Sequence, residues 1–254
     1  FKLIVVKLSL VDSNTIIFAF YVINSFMDML LQGVQIKVNE KLYLKDPESS
    51  GLGKKIVEYS IQMINEIGFE RFTFKKLGHQ IGSNESSIYR YFENKHKLLV
   101  YLTSWYWGWM EYQLVFATHS IKNPKEKLLK SIIIITREIK EDSAFSHVNE
   151  VFLNQIVINE YSKAYLTKEV DEENKEGYYA IYKRLVGRLS TMISEVDADY
   201  EYPTSLASTI LENGLHQHYL REHFPSLTDC NKKVTPTQYL THLVFNTLKQ
   251  HLNE

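Results

Sequence analysis

Thr73 to Lys95 reads TFKKLGHQIGSNESSIYRYFENK, and this stretch decides the fold. Thr73 suits a helix N-cap, because its hydroxyl can accept from one of the backbone N–H groups that the first helical turn leaves unbonded. A helix then spans Phe74 to Ile81, with Phe74, Leu77 and Ile81 spaced to share one inward face. Gly78 within it costs up to about 1 kcal/mol relative to alanine, yet its missing side chain lets another segment approach closely. Gly82-Ser83-Asn84 makes a tight turn, in which Gly82 suits a left-handed backbone and Asn84 caps the next helix. That helix runs Glu85 to Phe92, turns Ile88 and Phe92 inward, and keeps its polar, aromatic and basic residues outside.

Two short helices joined this way fit a unit that reads DNA. Glu85, Ser86 and Ser87 let the second helix enter the major groove by its N-terminus, and Arg90 offers paired bonds to guanine or a phosphate contact. The hydroxyls of Tyr89 and Tyr91 suit phosphate oxygens, which fix register without reading sequence. Upstream, Ile56, Tyr59, Met63, Ile64 and Ile67 fall at helical spacing from Lys54 onward, and Gly68 follows as a C-terminal cap.

Composition agrees with helices and at first disagrees with DNA. The chain of 254 residues is 44% hydrophobic, which excludes a mainly disordered polymer. With only 10 Gly and 5 Pro it lacks the turn punctuation of a sandwich or barrel. A single Cys, Cys230, excludes a disulfide framework and a Cys-based zinc cluster. The net charge of −1 is a poor footprint for a nucleic-acid binder. The charge is partitioned, however. Residues 51–100 carry 8 Lys+Arg against 5 Asp+Glu, residues 101–254 carry 16 against 20, and residues 1–50 balance at 5 and 5. A +3 segment joined to a −4 body is what a chain needs if only one part meets nucleic acid.

The run from Thr73 to Gly82, continued by Ser86-Ser87-Ile88-Tyr89-Arg90-Tyr91-Phe92-Glu93-Asn94-Lys95 and Leu98-Leu99, resembles the DNA-binding domain of the TetR family of bacterial transcriptional regulators. The resemblance covers roughly residues 54–100. Matched position by position, it implies that Thr73 and Lys75 approach the DNA. It also implies that Glu85, Ser86, Ser87, Tyr89, Arg90 and Tyr91 line the recognition face, and that Lys95 meets a phosphate. Three positions depart from the family pattern, which usually has Ala at Gly78 and Ile81 and Val at Ser83, and these departures imply looser packing around the turn. The resemblance further implies a C-terminal domain that dimerises and holds a small-molecule effector.

The remainder reads as helices. Leu98, Leu102, Trp105, Trp109, Tyr112 and Phe116 form a stripe from Lys95 to about residue 120. Pro124 opens a helix with Leu128, Leu129, Ile132, Ile133, Ile135 and Ile139, apolar on most sides and so deeply buried. Amphipathic segments follow around 148–162 and 178–196, separated by an acidic run, Glu169–Glu176, that reads as a solvated face or connection. Pro203 and Pro236 open the last two helices, the expected dimer surface, where Gly214 permits either close approach or flexibility. Trp105, Trp109, Tyr112 and Phe116 are the candidates for an apolar effector pocket, with core packing as the bland alternative for each. His216 and His218 lie on different helix faces, and no matching acidic or Cys set completes a site with them and His223, so no metal is expected. No cofactor or catalytic motif stands out.

Residues 1–31 are apolar, but the longest charge-free stretch, Ser13 to Met27, is shorter than the roughly 20 residues a spanning helix needs. The preferred reading starts the natural chain at Met27 or Met29, so that residues 1–26 fall outside the native protein. A membrane anchor is its competitor. Val34 to Leu44 reads as an extended arm, and Asp46 to Gly51 as a loop.

The sequence therefore points to an all-α protein: a leader and arm over 1–50, a three-helix helix-turn-helix DNA-binding domain over 51–100, and a helical bundle over 101–254 that the resemblance implies is a ligand-binding and dimerisation domain. The function that follows from the resemblance is a cytoplasmic, non-enzymatic regulator, a repressor in the preferred reading with an activator as the alternative. It would bind a near-palindromic operator as a homodimer and be released by an effector. A helical binding protein or enzyme that keeps the helix-turn-helix as scaffold is the reading from another class.

Overall fold

The computed structural model describes residues 36–140 and 147–251. The leader reading and the expected start at Met27 or Met29 lie outside them. Among the described residues the chain forms α-helices and a few 3-10 turns, with no strand. In order these are α1 Gly51–Arg71, α2 Phe74–Gln80, α3 Glu85–Tyr89, α4 Lys95–Thr118, α5 Pro124–Thr136, α6 Glu150–Tyr165, α7 Val170–Lys175, α8 Ala180–Val196, α9 Pro203–His223 and α10 Pro236–His251. Proline stands in the first turn of α5, α9 and α10, where the N–H it lacks would have had no helical partner.

The expected arm is not free. Ile36, Val38 and Leu42 are buried against the body, and residues 40–42 form a 3-10 turn capped by Asn39. Ile36 crosses α4 at Gly108, where an added Cβ would lie 2.6 Å from Ile36 Cγ2. The expected loop at 46–51 contains a second 3-10 turn, Pro47–Ser49. Its backbone sits so close to α1 that a Cβ on Gly53 would lie 2.2 Å from the Pro47 carbonyl oxygen. Helix α1 accordingly starts at Gly51, three residues earlier than its apolar spacing suggests, with Ser50 Oγ accepting from Gly53 N–H at 3.1 Å.

Helix α4 is the shaft of the molecule. Its side chains are buried without interruption from Leu98 to Trp107, because α5, α6, α8 and the arm enclose it. A single apolar stripe therefore understates its burial. Polar tips on this shaft find partners across the interface: Trp107 Nε1 donates to the Tyr165 hydroxyl at 2.7 Å, and the Tyr106 hydroxyl donates to Asn154 Oδ1 at 2.8 Å. Helix α5 has Leu128, Ile132, Ile134 and Ile135 buried, but Leu129 is exposed, so it is less enclosed than its composition implies. Gly214 of α9 faces Thr136 of the same chain, whose Cγ2 lies 3.2 Å from where a Cβ would stand. The close approach it permits is to α5. The acidic run includes α7, whose Glu173 bonds His96 Nε2 at 2.6 Å.

The strongest polar link between α4 and α8 centres on Glu111. Arg184 Nε donates to Glu111 Oε1 at 2.8 Å, Arg184 Nη2 to Oε2 at 2.5 Å, and Arg188 Nε to Oε1 at 2.6 Å. Burial by itself would raise the carboxyl's pKa, but the hydrogen bonds from Arg184 and then Arg188 outweigh it and hold it below the usual value. A carboxylate depressed in the folded state contributes stability that is present above its free pKa and is lost as pH falls through the folded value. Glu111→Gln should thus cost about 1–3 kcal/mol at neutral pH. Chemical denaturation should show the gap to wild type narrowing below pH 4.5 or so; a gap independent of pH would contradict this assignment.

Candidate nucleic-acid interface

The reading head is α1 to α3 with the turns between them. At Gly68 the chain takes φ 76° and ψ 156°, a conformation open to glycine, and the helix breaks there. The break leaves the backbone around Phe69 without helical partners inside the protein, where an unpaired group is costly. Two charged side chains supply them. Glu160 Oε1 of α6 accepts from Phe69 N–H at 2.9 Å, and Lys95 Nζ of α4 donates to the carbonyls of Phe69 at 3.1 Å and Glu70 at 3.3 Å. Lys163 pairs with Glu160 at 2.7 Å and reaches Glu70 at 3.3 Å.

After this hub Phe72 is fully buried and Thr73 caps α2, its Oγ1 accepting from Lys76 N–H at 3.2 Å. Phe74 and Leu77 point inward as their spacing requires, and Ile81 is half-buried. Gly82 takes φ 68° in the turn, and Asn84 Oδ1 accepts from both the N–H and the hydroxyl of Ser87, at 2.8 and 2.7 Å. Helix α3 is shorter than its expected extent of Glu85 to Phe92, since Arg90 and Tyr91 already belong to the following turn.

Most of the expected contact residues are open to solvent. Thr73, Lys75, Ser86, Tyr89 and Arg90 are exposed, and Glu85 and Ser87 are partly exposed at the start of α3. Tyr89 leans its ring edge-on against Phe74, with centroids 5.0 Å apart, which fixes an exposed aromatic without burying its hydroxyl end. The free N-terminus of a capped helix flanked by cations is suited to a polyanion's backbone.

Comparison with known proteins agrees with this geometry. Residues 56–102 match the family model "Bacterial regulatory proteins, tetR family". Residues 56–102 therefore carry a DNA-binding domain of the TetR type. Among solved structures, AibR in complex with isovaleryl coenzyme A and operator DNA is 20% identical and has a TM-score of 0.50; the match covers 74% of this chain and 94% of that one. The superantigen PfiT is 15% identical with a TM-score of 0.54, covering 79% and 97%. The TetR family regulator PfmR from Thermus thermophilus is 14% identical with a TM-score of 0.48, covering 76% and 97%. At such identities AibR and PfiT share a fold with this chain and nothing finer. No curated protein matches the chain significantly in sequence.

Three expectations drawn from the TetR resemblance need revision. Tyr91 does not line the recognition face: it is 3% exposed, and its hydroxyl lies 2.7 Å from Ser50 Oγ while its carbonyl accepts from Leu44 N–H at 2.7 Å. Tyr91 locks the arm and the start of α1 to the head. Lys95 has its ammonium engaged by the Gly68 hub rather than held out toward solvent, and lies 4.6 Å from the Phe69 ring centroid. The turn beside Gly78 is not loose. A Cβ there would stand 2.9 Å from the Ser83 carbonyl oxygen and 3.2 Å from Glu85 N, both backbone atoms. Glycine at 78 seats the turn and α3 closer to α2 than alanine allows.

The aromatic effector candidates are dispersed. Trp105 and Trp109 are buried, Tyr112 is partly buried and Phe116 is 49% exposed. Of the four, only Trp109 lines a large cavity of about 1330 Å³ between α4, the end of α5, the end of α9 and the α9–α10 connection. The other walls come from four distant stretches, including Thr136, Arg137, His218 and Cys230, which no local pattern ties together. His218 Nε2 donates to the Thr136 carbonyl at 2.8 Å, whereas His216 and His223 flank the Tyr219 ring.

Gly78→Ala improves helix propensity and overfills the contact. The substitution is expected to lower stability by about 1–3 kcal/mol and to weaken retention of DNA by displacing α3. A thermal melt and a filter-binding assay measure the two effects, and an alanine variant at least as stable and as active as wild type would refute the close-packing role.

Proposed function

We propose that the chain is a repressor that docks as a two-fold dimer on a near-palindromic operator and leaves it when a small organic effector occupies the helical body. Residues 51–100 serve as the DNA-binding domain and 101–254 as the regulatory and dimerisation domain, working in the cytoplasm. The reading rests on one observation above all: Ser86 and Tyr89 on the capped α3 and Arg90 just after it are exposed, as are Thr73 and Lys75 at the start of α2, and the Tyr89 ring rests on Phe74 of α2. Among the described residues no helix is long and apolar enough to cross a membrane.

Dimerisation is supported by the outer faces of α9 and α10 and their connection, where Leu227 is 67% exposed and Tyr239 is 37% exposed. Two heads held at a fixed separation would meet half-sites about one DNA turn apart. An effector then needs only a higher affinity for the form whose heads are wrongly spaced. The link from body to head is physical. Helix α4 lines the large cavity through Trp109 and grips the Gly68 hub through Lys95, while α6 holds the same hub through Glu160.

Genomic fragments retained by the purified protein, sequenced with and without cell extract, test the proposal directly. Arg90→Ala should lower affinity for the recovered site by about 1–3 kcal/mol and relax its sequence preference, while Lys75→Ala should weaken all sequences alike and reduce the salt dependence by about one unit. If the helix-turn-helix is only scaffold, no specific fragment is retained and neither variant changes binding.

A further inference from the structure

The body of this protein is acidic, with 16 Lys+Arg against 20 Asp+Glu over residues 101–254, yet the wall of its large cavity carries the opposite sign. Arg137, Lys140, Arg221 and Lys232 line it, against Glu138 and Glu222. Glu138 is already neutralised, its Oε1 lying 2.7 Å from Arg221 Nη2. Arg137 Nη2 donates to Gln113 Oε1 at 2.6 Å, so a second lining residue holds the guanidinium at the wall. His218 adds no positive charge at neutral pH. Burial pushes its pKa below the usual value, and its Nε2 hydrogen is committed to the Thr136 carbonyl. The rest of the surface is neutral and mixed, with Trp109, Ile139 and Pro236 as apolar patches and the hydroxyls of Thr136 and Thr237 between them.

Such a wall discriminates by charge. Cations gathered in a concave, partly enclosed site within an otherwise acidic body focus a positive potential there, which repels ammonium compounds and attracts carboxylates and phosphates. Salt bridges fully satisfied among themselves would not do this. Among the described lining residues, Arg137, Lys140 and Lys232 exceed the one remaining carboxylate, Glu222. We infer that the cavity binds an amphiphilic organic anion, its carboxylate or phosphate held by Arg137, Lys140 and Lys232 and its apolar body laid over Trp109, Ile139 and Pro236. The inference rests on the proposed role of the body as effector holder, and it assigns the chemical class of that effector.

Isothermal titration of the full chain, without DNA, with octanoate, octyl phosphate, octanol and octylammonium separates charge from chain length. At least one of the two anions should bind about ten-fold or more tightly than octanol, with octylammonium weakest, and the ratio between the anions tells carboxylate from phosphate. Arg137→Gln combined with Lys232→Gln keeps exposed positions polar and should abolish that preference while leaving the thermal melt unchanged. The inference is overturned if neither anion binds, if octanol or octylammonium binds as well, or if the double variant keeps the preference. Because these titrations contain no DNA, retention of genomic fragments by the same preparations reports separately on the regulator reading.

Discussion

The structure depends on how the protein satisfies the backbone at Gly68. A helix that breaks in the interior must find partners for the N–H and C=O groups it strands, and here both come as charged side chains from other helices. Glu160 holds the Phe69 N–H, and Lys95 holds the Phe69 and Glu70 carbonyls. The hydrogen bonds that complete α1 therefore also fasten the reading head to α4 and α6. Removing either side chain would strand buried backbone groups and loosen the head from α4 or α6 at once.

Around it the molecule is arranged as a shaft with attachments. Helix α4 begins in the head, where Asn94 caps it, and continues into the core, where Glu111 collects two arginines from α8. Its enclosure by α5, α6, α8 and the arm means that it cannot shift without repacking several interfaces together. The cavity lies against the middle of this shaft through Trp109. A molecule lodged there touches the same rigid element that holds the Gly68 hub, so no long chain of intermediates separates the two ends.

The local grammar of the head was legible in the sequence because each signal acts over a few residues. Thr73 and Asn84 cap the helices that follow them, Gly68 and Gly82 take the positive φ expected of them, and Phe74, Leu77, Ile88 and Phe92 pack inward. What escaped depends on distant partners. Tyr91 has the look of an exposed phosphate contact until Ser50 at the start of α1 claims its hydroxyl and Leu44 of the arm its carbonyl. Lys95 looks free until the Gly68 turn presents two carbonyls to it. The cavity was invisible for the same reason: Arg137, His218 and Lys232 are ordinary in their own neighbourhoods, and only the packing of α4, α5 and α9 sets them around one space. The aromatic spacing of α4 pointed to burial, which holds for Trp105 and Trp109 and not for the exposed Phe116, and it distinguished Trp109 from Trp105 in no way.

The five residues of α3 also limit what one head can know about a DNA sequence. At about 1.5 Å per residue the helix is some 7–8 Å long, which spans only two or three base-pair steps of roughly 3.4 Å. Even with Arg90 and α2 extending the contact by a pair or two, a word of four letters recurs on the order of once every few hundred base pairs, against a background of about 10⁶–10⁹ competing sites in a genome. A single head is thus an instrument of low information content. In the proposed dimer the address is completed by a fixed distance to a second word, so the part of the protein that touches no base would contribute to sequence selection as a ruler.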